Sequence, residues 1–180
     1  MRRLIILVFI LTSLKGFSQE ISISAARVLY FSIEKDQKAA LNLNKLMAVD
    51  KQSPDPVLLA YRGASLAASA GIVNGVKNKF SYFKHGKADL EQAVKLDPAN
   101  PEIRFLRLAT QTNAPGFLLY KGNIAEDKKV VLDRLASLLA KKNERSLALD
   151  MARSLIIFDS LSNREKQIVN QLRLPYEQNN

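Results

Sequence analysis

The stretch that decides the fold is Gly86–Pro101, GKADLEQAVKLDPANP. Its apolar residues recur three and four positions apart, which is the spacing of one face of an α-helix. Asp97-Pro98 ends this helix, because proline cannot continue it. Asn100 is a typical N-cap residue and Pro101 suits the first turn of a following helix. The stretch therefore predicts a helix that begins at about Phe80 or Gly86 and ends at Leu96, a proline-bounded turn and the start of the next helix.

The same helical spacing continues on both sides of this stretch. From Ile21 onward, apolar residues recur at three and four positions rather than alternating, and breaks fall at 53–56 and 113–116. The predicted helix 57–70 is almost uncharged, since Arg62 is its single ionised residue, so we expect neighbours on several of its sides. We predict an all-α protein of about eight helices arranged as antiparallel pairs.

Two of these helices resemble a tetratricopeptide repeat, in which bulky and small residues alternate at fixed offsets. The matching positions are Leu59, Gly63 and Leu66 in the first helix and Gly86, Leu90, Ala93 and Pro98 in the second. The best match spans residues 56–100. Small residues at Gly63 and Ala93 should permit a tight crossing of the two helices. The resemblance implies helix pairs stacked as a short, degenerate, right-handed array.

The repeat is longer than the family pattern. Pro56 and Pro101 lie 45 residues apart, whereas a standard repeat has about 34 residues. The difference implies an insertion from Ile72 to about His85, between the two helices. Helices five and six lack clear repeat offsets. One good repeat, one or two degenerate neighbours and a divergent C-terminal part together cover roughly residues 36–140.

A second resemblance concerns the run EIRFLRLATQTNAPGFLLY and the upstream AYRGA, SYFKHGK and LEQAVKLDP. Together these segments are similar to a group of small exported proteins of Bacteroidetes-type bacteria. The resemblance implies a fold signature and supplies no catalytic residue. The signature positions are Gly63, Phe83, Arg104, Asn113, Pro115 and Phe117.

The first 18 residues have the features of a signal peptide. A cationic start precedes the apolar run Leu4–Leu11, and the small residues Gly16 and Ser18 fit the −3 and −1 sites of signal peptidase. We predict cleavage before Gln19 and export to the periplasm or the medium. The alternative is an uncleaved anchor, but the run is about half of the roughly 20 apolar residues that a span needs.

After cleavage, a single helical domain is expected over residues 19–174, followed by a flexible tail at 175–180. The whole chain has 27 Lys and Arg against 17 Asp and Glu, a net charge of +10. Without Arg2, Arg3 and Lys15, 24 basic residues remain against the same 17 acids, and the charge is +7. The targeting segment therefore accounts for part of the basic character.

The composition excludes several kinds of chemistry. The chain has no Cys, which excludes disulfides, thiolate zinc sites and a Cys nucleophile, and its single His excludes a mechanism with two imidazoles. Ser65 lies in half of a nucleophile-elbow pattern, but within a helix, where a packing role is expected. His85 does not belong to a set of three or four ligands of the kind that a metal site needs. We predict that the chain is not an enzyme and binds no metal or cofactor.

The insertion near 72–85 is basic and aromatic, without an acid between Gly71 and Asp89. Such a surface could bind an anionic polymer or a lipid headgroup, whereas nucleic acid is not expected for an exported protein. The alternative is that the aromatic rings pack inward and the lysines are solvated. The candidate binding residues are Lys77, Lys79, Tyr82, Lys84 and Lys87.

Arg104 and Arg107 form a second basic pair, on the fifth predicted helix. An arginine can hold a carboxylate with two hydrogen bonds, so the pair could bind a peptide terminus or an acidic side chain. The alternative is an intramolecular ion pair with an acid such as Glu102 or Asp127.

These observations favour a non-catalytic exported scaffold that binds a protein or peptide of the cell envelope in a groove between helix pairs. The alternative function is binding of anionic envelope material, a lipid headgroup or a glycan, through the Lys-rich insertion. The partner and the oligomeric state are left open by the sequence.

Overall fold

A computed structural model describes residues 21–48 and 55–177. Within them the chain is all-α, with eight α-helices and one short 3₁₀ turn, which confirms the predicted fold class. The predicted signal peptide, residues 1–18, lies outside the described residues. The elements are α1 Ile23–Ser32, α2 Lys38–Ala48, α3 Pro56–Ser69, α4 Val76–Leu96, α5 Pro101–Asn113, the 3₁₀ turn Gly116–Leu118, α6 Ile124–Ala140, α7 Arg145–Leu155 and α8 Asn163–Glu177.

Side-chain caps fix where several helices begin. The Asn100 side chain accepts hydrogen bonds from the backbone N–H groups of Glu102 and Ile103, and Pro101 occupies the first turn of α5 as predicted. Ser162 and Glu165 bond reciprocally at the start of α8, each side chain accepting from the other's backbone N–H. These bonds satisfy N–H groups that have no partner within the helix itself.

The basic insertion differs from its predicted form, because most of it is helix. α4 begins at Val76, directly after Gly75, whose φ of 85° suits glycine. The helix then runs without interruption through Gly86 to Leu96. The insertion near 72–85 is therefore an extension of α4 by more than two turns rather than a loop between two helices.

The predicted tail also differs, since α8 continues through Pro175 to Glu177. Arg153 and Arg173 both donate hydrogen bonds to the Glu177 carboxylate, which ties the end of α8 to α7. Residues 175–177 therefore belong to the helical domain.

The helix α3 contacts α1, α2, α4 and α5, as its low charge predicts. Consecutive helices contact one another, and α6 also contacts α8. Of the repeat positions, Leu90 and Ala93 are buried, Leu59 and Leu66 are half-buried, and Pro98 is exposed. The right-handed, tetratricopeptide-like stacking of the pairs stays a prediction.

The helices α3 and α4 approach each other closely at Gly63 of α3 and Gly86 of α4. A Cβ added to Gly63 would lie 2.7 Å from the carbonyl oxygen of Gly86, and a Cβ added to Gly86 would lie 2.5 Å from that of Gly63. The sequence named Gly63 and Ala93 as the small residues of a tight crossing. In the structure Gly63 lies against Gly86, another of the repeat positions, and Ala93 is fully buried.

Candidate ligand-binding cleft

A cleft of about 910 Å³ lies between the C-terminal ends of α1, α3, α5 and α7 and the first turns of α4. Most of the side chains that line it are apolar. Clefts of roughly 300–1,000 Å³ with apolar walls and a few polar groups are typical of ligand sites.

Aromatic rings in mutual contact form part of the lining. The Tyr30 and Phe31 ring centroids are 5.4 Å apart, those of Phe31 and Phe105 are 5.8 Å apart, and those of Phe105 and Phe158 are 6.0 Å apart. Tyr30 also packs edge-on against the buried ring of Tyr61, at 5.5 Å. Ring pairs at these distances stabilise one another beyond the area they bury, so this wall is held in place.

The cleft is open because one face of α3 carries side chains too small to fill it. Ala64, Ala67 and Ala68 follow the i, i+3, i+4 spacing that places residues on one helix face, and all three line the cleft, as does Gly71 just after the helix. The opposite wall begins at Phe83, which is buried against the Tyr120 ring at 5.8 Å.

Large apolar side chains stand at the mouth of the cleft with much of their surface in solvent. Phe80 is 59% exposed and Phe117 is 80% exposed, and Ile157 is exposed as well. All three line the cleft. Grouped exposed apolar side chains of this kind mark interaction sites more often than isolated ones do.

Charged side chains of both signs also line the cleft. Glu34 follows α1, Lys79 lies in α4 and Asp159 follows α7, and all three are exposed. Within residues 21–48 and 55–177 none of these three takes part in a salt bridge. They are therefore available to charged groups of a ligand.

A buried ion-pair cluster joins α4, α5 and α6. Asp127 is fully buried and accepts hydrogen bonds at 2.7 Å from Nη1 of Arg104 and from Nε and Nη2 of Arg107. Arg107 also donates to Glu91 of α4 at 2.8 Å. The two arginines are only 6% and 3% exposed. Arg104 and Arg107 therefore form an ion pair with Asp127 within the chain, and their side chains are buried rather than accessible to a partner.

The same cluster shifts the ionisation of its members. A hydrogen bond from Arg104 lowers the pKa of Glu126 below its ordinary value. Burial alone would lower the pKa of Arg107, but its bonds and charge contact with Asp127 outweigh that effect and raise it. Burial raises the pKa of Tyr120, and the hydrogen bond that its hydroxyl donates to Glu91 at 2.7 Å raises it further.

A second cluster fixes α1 to α3 and α5 behind the aromatic wall. Arg27 donates two hydrogen bonds to the Glu102 carboxylate, at 2.7 and 2.6 Å, and the Tyr61 hydroxyl donates a third at 2.7 Å. Burial raises the pKa of Tyr61, and the adjacent negative charge of Glu102 raises it further. Glu102 therefore pairs with Arg27, not with the arginines of α5.

The four candidate lysines, three in the predicted insertion and Lys87 just after it, are exposed along α4. Lys79 lines the cleft, and Nζ of Lys87 lies 4.9 Å from the centre of the Tyr120 ring. Tyr82 is half-buried, and of the neighbouring phenylalanines one is buried and one is exposed. The lysine positions are therefore accessible, whereas the aromatic residues divide between core and surface. The lysines outside the cleft are Lys77, Lys84 and Lys87.

The remaining sequence candidates lie outside the cleft. Ser65 is buried, and its hydroxyl forms hydrogen bonds with the Asn44 side chain and the Arg62 carbonyl, in the packing role that was expected. His85 is exposed on α4. In the described part of the chain, no three His, Asp or Glu side chains are grouped so that they could hold a metal ion.

Comparison of the chain with protein-family models, with curated proteins and with solved structures finds no match.

Sequence reasoning did not single out the residues that make the cleft. The run ASLAASAG, residues 64–71, carried the signal, because a helix segment with so few long side chains either packs tightly or borders open space. The tight-packing interpretation holds for Gly63, on the face turned to α4. The alanines beside it border the cleft instead.

Proposed function

We propose that this protein is a non-catalytic binding protein that holds an apolar peptide segment of a partner in the cleft. The observation that carries the proposal is the combination of an aromatic wall, an alanine wall and exposed phenylalanines at one mouth. Apolar side chains of a bound segment would lie between Phe105 and the alanine face of α3. Each fully buried one contributes about 1.5–3 kcal/mol of transfer free energy.

Two features of the rim favour a peptide over a purely apolar ligand. Glu34 and Asp159 are negatively charged and Lys79 is positively charged, so the rim is complementary to a segment with charged flanks of both signs. Thr110 and Asn113 lie in the lining at the end of α5, where their polar groups can meet a peptide backbone. A fatty acyl chain would use none of these groups.

With the predicted export signal, the partner would be a protein of the cell envelope. Export itself is tested by reading the N-terminus of the chain isolated from the envelope fraction. An N-terminus at Gln19 would agree with the prediction, and an intact Met1 would contradict it.

The binding proposal is tested by selecting random peptides on the immobilised chain and measuring their affinity by fluorescence anisotropy. Ala68→Trp places a large ring in the cleft, and we expect it to weaken binding of selected peptides at least about tenfold, the equivalent of about 1.4 kcal/mol. Ala136→Trp is the matched control, since Ala136 is exposed on α6 outside the cleft. Its affinity should equal that of the wild type.

Binding should also persist in about 1 M salt, where electrostatic screening shortens to about 3 Å, because apolar burial is not screened. Peptides that bind equally to Ala68→Trp and Ala136→Trp would contradict the proposal. So would a chain that binds oleate in the cleft and selects no peptide.

A further inference from the structure

A surface beside the cleft combines positive charge with exposed apolar side chains. It is formed by the exposed residues of segments 71–88 and 114–123, and is called here the cationic face. These segments contain five lysines, four in the first and Lys121 in the second, and no Asp or Glu. Both are wholly described by the structure. The uniform sign of charge distinguishes this face from the mixed rim of the cleft.

The two segments form one continuous surface because they pack on each other. Phe83 and Tyr120 make an edge-to-face contact at 5.8 Å, in a small apolar cluster with Ala114. Lys87 lies over the Tyr120 ring at 4.9 Å. Phe80 of the first segment and Phe117 of the second line the same cleft.

Within α4, spacing places apolar and basic side chains together. Val76, Phe80, Lys84 and Lys87 follow an i, i+4, i+8, i+11 pattern and so lie along one side of the helix. Val76 and Phe80 are largely exposed, and both lysines are exposed. Aliphatic and aromatic side chains flanked by lysines are the arrangement of helices that lie in a membrane interface.

The second segment displays a leucine at an energetic cost. Leu119 is 86% exposed and adopts a left-handed conformation, with φ of 49°, which disfavours a side chain of its kind. Glycine or asparagine would satisfy that backbone, but leucine adds a large apolar group to the surface next to Phe117. An exposed, strained apolar residue of this kind points to a functional contact.

We infer that the cationic face docks on an anionic phospholipid surface, with Phe80, Phe117 and Leu119 entering the interface and the lysines meeting the headgroups. The charge of the face is complementary to such a surface, and its apolar side chains match the acyl boundary beneath it. The carboxylate of nearby Glu91 is already occupied by hydrogen bonds from Arg107 and from the Tyr120 hydroxyl, so it does not neutralise the lysines of the face. Docking in this way would place the mouth of the cleft at the membrane surface.

The test uses the full chain with a tryptophan reporter, because the protein contains no Trp. Phe117→Trp places the indole on the cationic face and is the face reporter, while Leu174→Trp places it on α8, outside the two segments, and is the α8 reporter. Each is mixed with vesicles of phosphatidylcholine alone or of equimolar phosphatidylcholine and phosphatidylglycerol, with or without brominated acyl chains. The local reporter matters because the apolar run Leu4–Leu11 could itself partition into lipid.

We expect the indole emission of the face reporter to shift to the blue and to be quenched by brominated chains in the anionic vesicles only, while the α8 reporter is unaffected. Replacing the four lysines that α4 contributes to the cationic face by glutamine should weaken partitioning, measured with the face reporter, by up to about a thousandfold. The control variant carries the same charge change at exposed lysines elsewhere and should bind as before. The test set is Lys77, Lys79, Lys84 and Lys87, and the control set is Lys45, Lys129, Lys141 and Lys142.

Leu119→Asn keeps the backbone conformation and removes the apolar group, so it should fold normally and weaken partitioning about tenfold. Equal signals from the face reporter with neutral and anionic vesicles, or equal loss in the two lysine variants, would overturn the inference. Retention on heparin without any response of the face reporter to vesicles would overturn it too, in favour of a glycan. Peptide binding in the cleft is measured without lipid, so the peptide-binding proposal and the lipid-docking inference can each fail independently of the other.

Discussion

Substituting Gly86 by alanine tests whether the contact between α3 and α4 is as close as the structure shows. The new Cβ would lie 2.5 Å from the carbonyl oxygen of Gly63 and 2.7 Å from the amide nitrogen of Ala67. Ordinary contacts begin at 3.4 Å, so the two backbones must separate by about 0.7–0.9 Å. Both clashing atoms belong to helix backbone, and neither can turn away as a side chain can.

Two terms of opposite sign set the size of the effect. Overpacking of this kind costs typically about 1–3 kcal/mol, and a clash with backbone on both sides belongs at the upper end. Alanine in a helix interior is favoured over glycine by about 1 kcal/mol. We therefore expect Gly86→Ala to lower the free energy of unfolding by about 2 kcal/mol.

Urea unfolding followed by far-UV circular dichroism measures this change. With an m-value of about 2 kcal/mol/M, the midpoint should fall by about 1 M. Gly122→Ala is the control, since a Cβ there meets no atom within 4 Å and its φ is not positive. That variant should be as stable as the wild type or more stable by up to about 1 kcal/mol.

The double variant Gly63→Ala with Gly86→Ala sharpens the test. Each Cβ forces the same separation of α3 from α4, so the second should cost less than it does alone. A Gly86→Ala protein as stable as Gly122→Ala would refute the close crossing. Strict additivity of the two substitutions would refute the idea that one separation relieves both.

Three further outcomes follow from the buried groups and the strained leucine. Asp127→Asn should lower the free energy of unfolding by about 3 kcal/mol or more, because it leaves two buried guanidinium groups without their shared carboxylate. A loss of less than about 1 kcal/mol, measured by urea unfolding, would contradict this expectation. Burial raises the pKa of Tyr61 and Tyr120 above the unfolded value of about 10, so the stability they contribute is complete below that pH and lost as pH rises beyond it. Urea midpoints measured from about pH 8 to about pH 11 should therefore fall only above about pH 10, together with the rise of phenolate absorbance. A fall in the midpoint before that rise would contradict tyrosine ionisation as its cause. Leu119→Gly should not destabilise the protein and should raise the urea midpoint slightly, because it relieves the left-handed backbone, whereas a loss of about 1 kcal/mol would contradict the strain.

The helices could be predicted from the sequence where local signals decide them. Proline after Asp97 and proline after Asn100 act through their own backbone geometry, so the end of α4 and the start of α5 were predicted correctly. The start of α4 was not, because the sequence placed it at about Phe80 or Gly86 and the helix begins at Val76. Gly86 lies within the helix, and its role depends on Gly63, which is distant in sequence and adjacent in the fold.

The charged residues show a similar limit. The sequence named Asp127 as a possible partner of Arg104 and Arg107. Whether the two arginines are buried or exposed to solvent depends on how α6 lies against α5. The cleft was beyond sequence reasoning for another reason. It is space left by small side chains between elements that meet only in three dimensions, and Ala67 and Ala68 give no local sign of it.

The cleft as a site for an apolar peptide segment is tested most directly by isothermal titration calorimetry of a selected peptide at several temperatures. Burial of apolar surface gives a negative heat-capacity change on binding. We predict a clearly negative heat-capacity change for the wild type and for Ala136→Trp, and loss of the binding heat in Ala68→Trp. A heat-capacity change near zero, or the same titration in all three proteins, would contradict binding in the cleft.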